Sequence, residues 1–422
     1  MVSSGRGYSP TSKRTPLFRI AAFALAIILI AIFAAWMILF PTPQFPAPTG
    51  PYAIGTRVYA WTDALRPEPF TRSPNDRRQI VAQIWYPAAA QGELAPYIDT
   101  NEPMNVLAKQ FHVPAFLLRN IQNAPTHAHK NAVPAAGRFP VLINPAGLMA
   151  FRSASLFWIE ELASHGYIVV GLDQPGTSAA TVVLGGKVIT AMDKASFDRF
   201  MPLALSRSTN QSPIMNSVAL PGGIIPFLAD DISFLLTQVE RLDRTDPVLA
   251  GHMDTRRAGV FGMSLGGYVA PEVCSNDARF LACLAVDAGK TAAVARNGLT
   301  QPLMIMSRDA DVMRAERSKA GGWPEPEIAH TITTQRAIFE NNRGPAYYVI
   351  MNGMFHTNWT DAPLWSPLAR WIGLAGPIDP YQGFATTNAY TLDFFDRHLK
   401  GKPAPLLDKT ISRDPDTRLE IR

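Results

Sequence analysis

Gly262-Met263-Ser264-Leu265-Gly266-Gly267 is the segment of this chain whose residue types and spacing point most directly to chemistry. A serine held on a sharp strand-to-helix turn projects its hydroxyl outward, and flanking glycines let neighbouring backbone come close. On such a turn the amide of Leu265, at the start of the following helix, is aimed where negative charge develops on an attacked carbonyl oxygen. A plain glycine turn would give the same string, because glycine and serine are both common. The context argues for the reactive turn: AGVF precedes it, and Tyr268, Val269 and Val273 follow on an apolar helix.

A serine hydroxyl needs a general base, and histidine has the suitable pKa. The chain has eight histidines, and the order Ser…Asp…His that goes with such a turn leaves His330, His356 and His398. His356 follows the apolar run Ala346–Met351 in the short loop Asn352-Gly353-Met354-Phe355-His356, and is the expected base. His330 lies in a polar segment with no strand before it. His398, in FFDRHLKGK, reads as a cationic residue near a helix C-terminus, and His165 in ELASHGY reads as another helix-end residue. For the acid two strand ends compete. Asp287 closes LACLAV, and Asp309 and Asp311 follow the next run in MSRDAD. Either end can present a carboxylate that holds the imidazole tautomer, and topology alone slightly favours Asp311. Pro145-Ala146-Gly147-Leu148, straight after PVLIN, supplies the second oxyanion donor through the Leu148 amide.

These residues need a frame. The apolar runs Pro140–Asn144, Ile168–Leu172, Ala258–Gly262, Leu281–Val286, Pro302–Met306 and Ala346–Met351 show no alternation, as strands buried on both faces do. Gln79–Tyr86 reads as a further strand closed by Pro87, and a helix is expected near 103–122. Ile232, Leu235, Leu236, Val239 and Leu242 share one helical face, with Asp230 and Asp231 near the start of that helix. Such alternation of strand and helix predicts an α/β fold with a doubly wound, mostly parallel sheet. Its ligand site belongs beyond the carboxyl ends of the strands, where Leu148, Ser264, Asp287, Asp311 and His356 all fall.

Ahead of this frame, residues 20–40 (IAAFALAIILIAIFAAWMILF) carry no charge or amide. Twenty-one residues make roughly 31 Å of helix, close to the ~30 Å hydrocarbon thickness of a bilayer. The bulky end Trp36-Met37-Ile38-Leu39-Phe40 does not suit signal cleavage, so an uncleaved signal-anchor is expected, with Trp36 at the membrane interface. Residues 1–19 hold Arg6, Lys13, Arg14 and Arg19 and no acid, which reads as a cytoplasmic tail with everything after the helix on the extracytoplasmic side, periplasmic in a Gram-negative cell. The same tail explains the net charge of +5: beyond it 35 basic residues face 34 acidic ones, so no nucleic-acid partner is expected. Residues 41–55 read as a Pro-rich linker lifting the domain off the membrane, 56–410 as the catalytic domain, and 411–422 as a tail.

Taken together, GPYAIGTRVYAWTD, FPVLINPAGLMAFRS, ELASHGYIVVGLDQPG, FGMSLGGYVAPEVCSNDARFLACLAVDAG and MNGMFHTNWTD resemble the platelet-activating factor acetylhydrolase family, plasma and intracellular type II, in a bacterial-type relative. The resemblance spans about Gly50 to Leu407. It implies an α/β-hydrolase fold and a calcium-independent serine esterase that removes short acyl groups. It also implies the acid at Asp287, in a context like LAVDAG, with Asp311 as the rival, the histidine at His356, and the oxyanion amides of Leu148 and Leu265. The expected substrate is a small-molecule ester or a phospholipid with a short sn-2 acyl group. Competing readings are a catalytically silent envelope binding protein on the same fold, or a lipase- or polyester-type hydrolase.

Residues 176–228 read as a long insertion, either a cap over the site that sets acyl length or a tolerated surface insertion. Cys274 and Cys283 read either as a disulfide in an oxidising compartment or as buried free thiols. No cofactor motif occurs, HExxH is absent, and His127-Ala128-His129 is too sparse to ligate a metal. Acyl length, head-group preference and oligomeric state are written in no motif.

Overall fold

The apolar runs become the middle of a sheet because each of them is covered on both faces. The computed structural model describes residues 16–89, 92–193, 196–197, 213–408 and 417–422. Among these, eleven strands form the main sheet: β1 (Ala53–Pro67), β2 (Arg77–Ala88), β3 (Leu94–Pro96), β4 (Pro125–Lys130), β5 (Phe139–Pro145), β6 (Ile168–Asp173), β7 (Met253–Met263), β8 (Phe280–Val286), β9 (Leu303–Ser307), β10 (Ala346–Met351) and β11 (Thr417–Ile421). Their order is β11-β10-β9-β8-β7-β5-β6-β2-β1-β4-β3. The six strands from β10 to β6 run parallel, while β2 pairs antiparallel with β6 and with β1, and β11 antiparallel with β10.

The helices used below are α1 (Pro16–Leu39), α2 (Glu102–Gln110), α3 (Leu156–Ser164), α4 (Ile224–Thr245), α5 (Leu265–Asn276), α6 (Ala310–Ala320), α7 (Glu325–Asn341) and α8 (Pro380–Lys400). Val141, Ile143, Val170 and Val260 pack with Ile232, Leu236 and Val269 from α4 and α5. Leu142, Val169 and Phe261 face the other way, onto Trp158 of α3 and Phe395 of α8. A strand held between two cores has no wet face, which is why these segments read as unbroken hydrophobic runs.

Several expectations change. The amphipathic helix starts at Ile224, so Asp231 is not a first-turn acid. Its carboxylate is buried and ion-paired with Arg66 and Arg78, each at 2.7 Å. The helix expected near 103–122 is α2 followed by a 3-10 turn at Ala115–Leu118 and one helical turn at Arg119–Gln122. The 411–422 tail contains β11, the edge strand beside β10, and β1 already begins within the stretch read as linker.

That linker is docked rather than free. Phe45 is buried with its ring 4.9 Å from Tyr97, the Thr49 N–H donates to Glu161 at 2.8 Å, and the Gly50 N–H donates to Ser164 Oγ at 3.1 Å. Within α1, Phe18–Leu39 is long and apolar enough to cross a membrane, and none of its most apolar stretch is buried in the protein. At its end the Trp36 indole N–H donates to the Leu117 carbonyl at 3.0 Å, and Asn120 donates to the Phe40 carbonyl at 3.1 Å. In the 176–228 insertion, Ala180–Val182 pairs with Val188–Thr190 and Ile214–Met215 with Val218–Ala219. Residues 194–195 and 198–212 of that insertion lie outside the described residues.

Candidate active site

Ser264 stands between β7 and α5 with φ 57° and ψ −123°, a conformation costly for a residue with a side chain. Two glycines make room for it. A Cβ at Gly262 would come within 2.5 Å of the Gly266 carbonyl group, and one at Gly266 within 2.5 Å of the Pro145 carbonyl oxygen. Neither clash is avoidable without moving backbone, so the tight turn and the approach of the β5 loop both depend on bare Cα atoms.

His356 Nε2 lies 2.9 Å from Ser264 Oγ, and His356 Nδ1 lies 2.7 Å from Asp287 Oδ2. Three strand ends meet there: Ser264 follows β7, Asp287 follows β8 and His356 follows β10. Asp287 is fully buried at φ 42°, in the left-handed region that aspartate tolerates better than most residues. Burial alone would push its carboxyl up. The charge of Arg308 and the hydrogen bond from His356 outweigh that, and hold it below the ordinary carboxylate range.

The loop after β5 packs on the same turn, since a Cβ at Gly147 would sit 3.5 Å from Ser264 Cβ. Leu148 lines the cleft beside Ser264, and so does Leu265, the first residue of α5, whose N–H has no acceptor within its own helix. Ser264 and His356 line a cavity of about 190 Å³ walled by Leu107, Phe111, Phe151, Trp365 and Leu374. They also line one of about 290 Å³ walled by Tyr268, Trp323, Glu327 and Phe197. A larger cavity of about 360 Å³, near Glu272 and Arg343, touches none of Ser264, Asp287 or His356. A hydroxyl poised on an imidazole whose far nitrogen meets a buried carboxylate is an arrangement for nucleophilic attack with general-base help.

Other candidates are placed elsewhere. The Asp311 side chain is 92% exposed and ion-paired with Arg314 at 2.8 Å, so it does not reach His356. Asp309 pairs with Arg418 at 2.7 Å. His398 is not the cation expected at a helix end: burial pushes its imidazole down to about 4, among the rings of Tyr347 and Phe394. His165 does lie at the end of α3, 3.2 Å from Glu161. Cys274 and Cys283 are buried free thiols. Among the described residues, no group of three or more His, Cys, Asp and Glu is arranged to hold a metal ion.

The profile of the platelet-activating factor acetylhydrolase, isoform II, family matches residues 37–197. The family resemblance read from the sequence therefore holds over that stretch, and the profile does not extend to the rest of the span from Gly50 to Leu407. The match to this acetylhydrolase family takes in Leu148 and stops before Ser264, so the roles of Ser264, Asp287 and His356 rest on geometry. Among solved structures, a ferulic acid esterase from Streptomyces cinnamoneus is similar over 90% of this chain and 99% of its own, at 24% identity and a TM-score of 0.68. That likeness shows the fold, which is the α/β-hydrolase fold. No curated relative matches the sequence.

Three further residues at the site are not among those expected from the sequence. Arg308 Nε donates to both Asp287 oxygens at 3.2 and 3.1 Å, Glu316 accepts the His356 backbone N–H at 3.1 Å, and the Trp323 ring stands edge-on to the imidazole at 4.8 Å. The signal for Arg308 was present, since it is the first residue after β9. Glu316 and Trp323, on and just after α6, carry no local signal.

Proposed function

We propose that this protein is a serine carboxylic-ester hydrolase. Ser264 Oγ attacks the ester carbonyl carbon while its proton passes to His356 Nε2, and Asp287 holds the imidazole in the tautomer that can accept it. The Leu148 and Leu265 amides receive the oxyanion. Collapse of the tetrahedral intermediate expels the alcohol, which takes the proton from His356. Water, deprotonated by the same imidazole, then releases the acid from the acyl-serine. The observation that carries this reading is the unbroken 2.9 and 2.7 Å chain from a serine on a strained turn to a buried carboxylate. A fluorophosphonate probe should label the wild type and p-nitrophenyl acetate should be hydrolysed. Ser264→Ala should lose both, and activity surviving that change would end the proposal.

Short-acyl esters, including short sn-2 acyl phospholipids, are the proposed substrates, supported by the family profile and the modest size of the apolar cavity. A second reading has its own support: Phe111, Phe151 and Trp365 wall that cavity, and the structural neighbour is by name an esterase of an aromatic acid. Comparing p-nitrophenyl acetate with longer straight-chain esters and with methyl ferulate separates the two. The α1 helix is proposed as an uncleaved anchor with its basic end in the cytoplasm, supported by its length, composition and exposure. Carbonate-resistant membrane association of the full chain, lost on deleting residues 1–40, is the expected result.

A further inference from the structure

Around the Asp287–His356 contact the structure builds a closed ring of charged groups. Arg308 Nε donates to both Asp287 oxygens, and its Nη1 pairs with Glu316 Oε2 at 2.5 Å. Glu316 Oε1 accepts the backbone N–H of His356 at 3.1 Å, and His356 Nδ1 returns to Asp287 at 2.7 Å. The Arg308 guanidinium also lies 5.5 Å from the centre of the Trp323 ring, which stands edge-on to the imidazole. The Arg308 side chain is 1% exposed and that of Glu316 10%. Three loops are thereby tied together, those after β8, β9 and β10.

We infer that Arg308 and Glu316 are positioning residues of this site, a charged clamp that sets how readily the Asp287–His356 pair takes up a proton; this rests on the roles proposed for Ser264, His356 and Asp287. With the imidazole neutral, Asp287, Glu316 and Arg308 sum to one negative charge. When His356 accepts the serine proton, the ring becomes neutral. Removing the arginine leaves an excess of negative charge and favours the protonated imidazole. Removing the glutamate charge leaves an excess of positive charge as that proton arrives, and disfavours it. An ion pair that merely packs the fold would predict no such opposition.

Other groups near Asp287 are common to every variant below. Burial pushes the Lys290 ammonium down to about 7, with its Nζ donating to the Ala288 and Gly289 carbonyls, and burial pushes the Tyr268 and Tyr348 hydroxyls up. Glu327 lines the cleft on the Tyr268 side. Differences between the profiles therefore report on the clamp.

The test is the pH dependence of kcat/KM for p-nitrophenyl acetate in the wild type, Arg308→Gln and Glu316→Gln. Glutamine at 316 keeps an acceptor for the His356 backbone N–H and loses the charge together with the second acceptor, the one that faces Arg308. The acid limb should move up by about one pH unit in Arg308→Gln and down by about half a unit in Glu316→Gln. KM should hold, because neither side chain lines the cavities beside Ser264. Limbs that stay with the wild type, or that move in the same direction, overturn the clamp. Should Arg308→Gln not fold, the downward shift in Glu316→Gln alone decides, for or against. A wild type that neither labels nor hydrolyses removes the parent reading, whereas an active, labelled wild type with unmoved limbs removes only the clamp.

Discussion

Arg78 and Arg308 are each buried against carboxylates, and of these two only Arg308 borders the proposed active site. Arg78, on β2, donates through Nε and Nη2 to Asp231 at 3.0 and 2.7 Å, and through Nη1 to Glu68 at 3.0 Å and to the Pro175 carbonyl at 2.9 Å. Asp231 is held further by Arg66 at 2.7 Å and Gln174 at 2.9 Å. That network closes on itself. Arg308 holds Asp287 in the same manner, but one Asp287 oxygen also meets an imidazole, and the imidazole meets a hydroxyl lining a cavity. Both aspartates are fully buried, and both are held below the ordinary carboxylate range by arginine charge acting against the upward push of burial. The comparison teaches that buried charge alone does not mark a site. A site needs an open end, where one member of the network faces both the buried charge and the cavity.

Breaking each network in turn should separate the two kinds. Asp287→Asn keeps the shape and removes the acceptor that sets the His356 tautomer, so kcat of the folded protein should fall roughly ten-thousandfold. Asp311→Asn, at the rival strand end, should leave kcat unchanged in the same assay. In the closed network, Arg78→Met leaves Asp231 and Glu68 buried with one cation fewer. It should cost about 3–5 kcal/mol in urea unfolding, while kcat of the folded protein is retained. If Arg78→Met instead lowered kcat without a stability loss, the distinction between open and closed networks would collapse.

A smaller effect is expected from an imidazole with no carboxylate partner of this kind. Burial pushes His398 down from 6.5 to about 4, so between those values the unfolded chain binds a proton that the folded chain does not. Stability should therefore be whole above pH 6.5 and decline as the pH falls towards 4. His398→Phe should flatten part of that decline when urea midpoints are compared across this range. A slope identical to the wild type would show that His398 titrates normally in the fold.

Much of the frame was legible because it is local. The six apolar runs become β5 to β10, their double burial written in the lack of alternation. The glycine spacing around Ser264 announced a turn that only bare Cα atoms permit. His356 could be picked because it follows a strand in a short loop. The antiparallel half is less visible: the sequence of β11, an edge strand, reads as a tail, and the start of β1 reads as linker, because both strands mix buried with half-exposed positions and so carry a weaker hydrophobic signature. His398 reads as a cation because its sequence neighbours are charged, while its spatial neighbours are Tyr347 and Phe394.

By itself the sequence determined where a serine sits on a tight strand-to-helix turn, which segments must be buried strands, and that one apolar helix precedes them. These follow from steric limits on a few adjacent residues and from periodicity, both properties of the local chain. The residues alone leave Asp287 and Asp311 open and the family resemblance favours Asp287; the tertiary structure brings Asp287 rather than Asp311 to His356, and it alone closes a ring of Arg308 and Glu316 around the pair. Strand ends β8 and β9 offer the same residue type at the same edge of the sheet. Which carboxylate turns inward depends on backbone direction at φ 42° and on a counter-ion from the neighbouring strand, contacts between residues far apart in the chain.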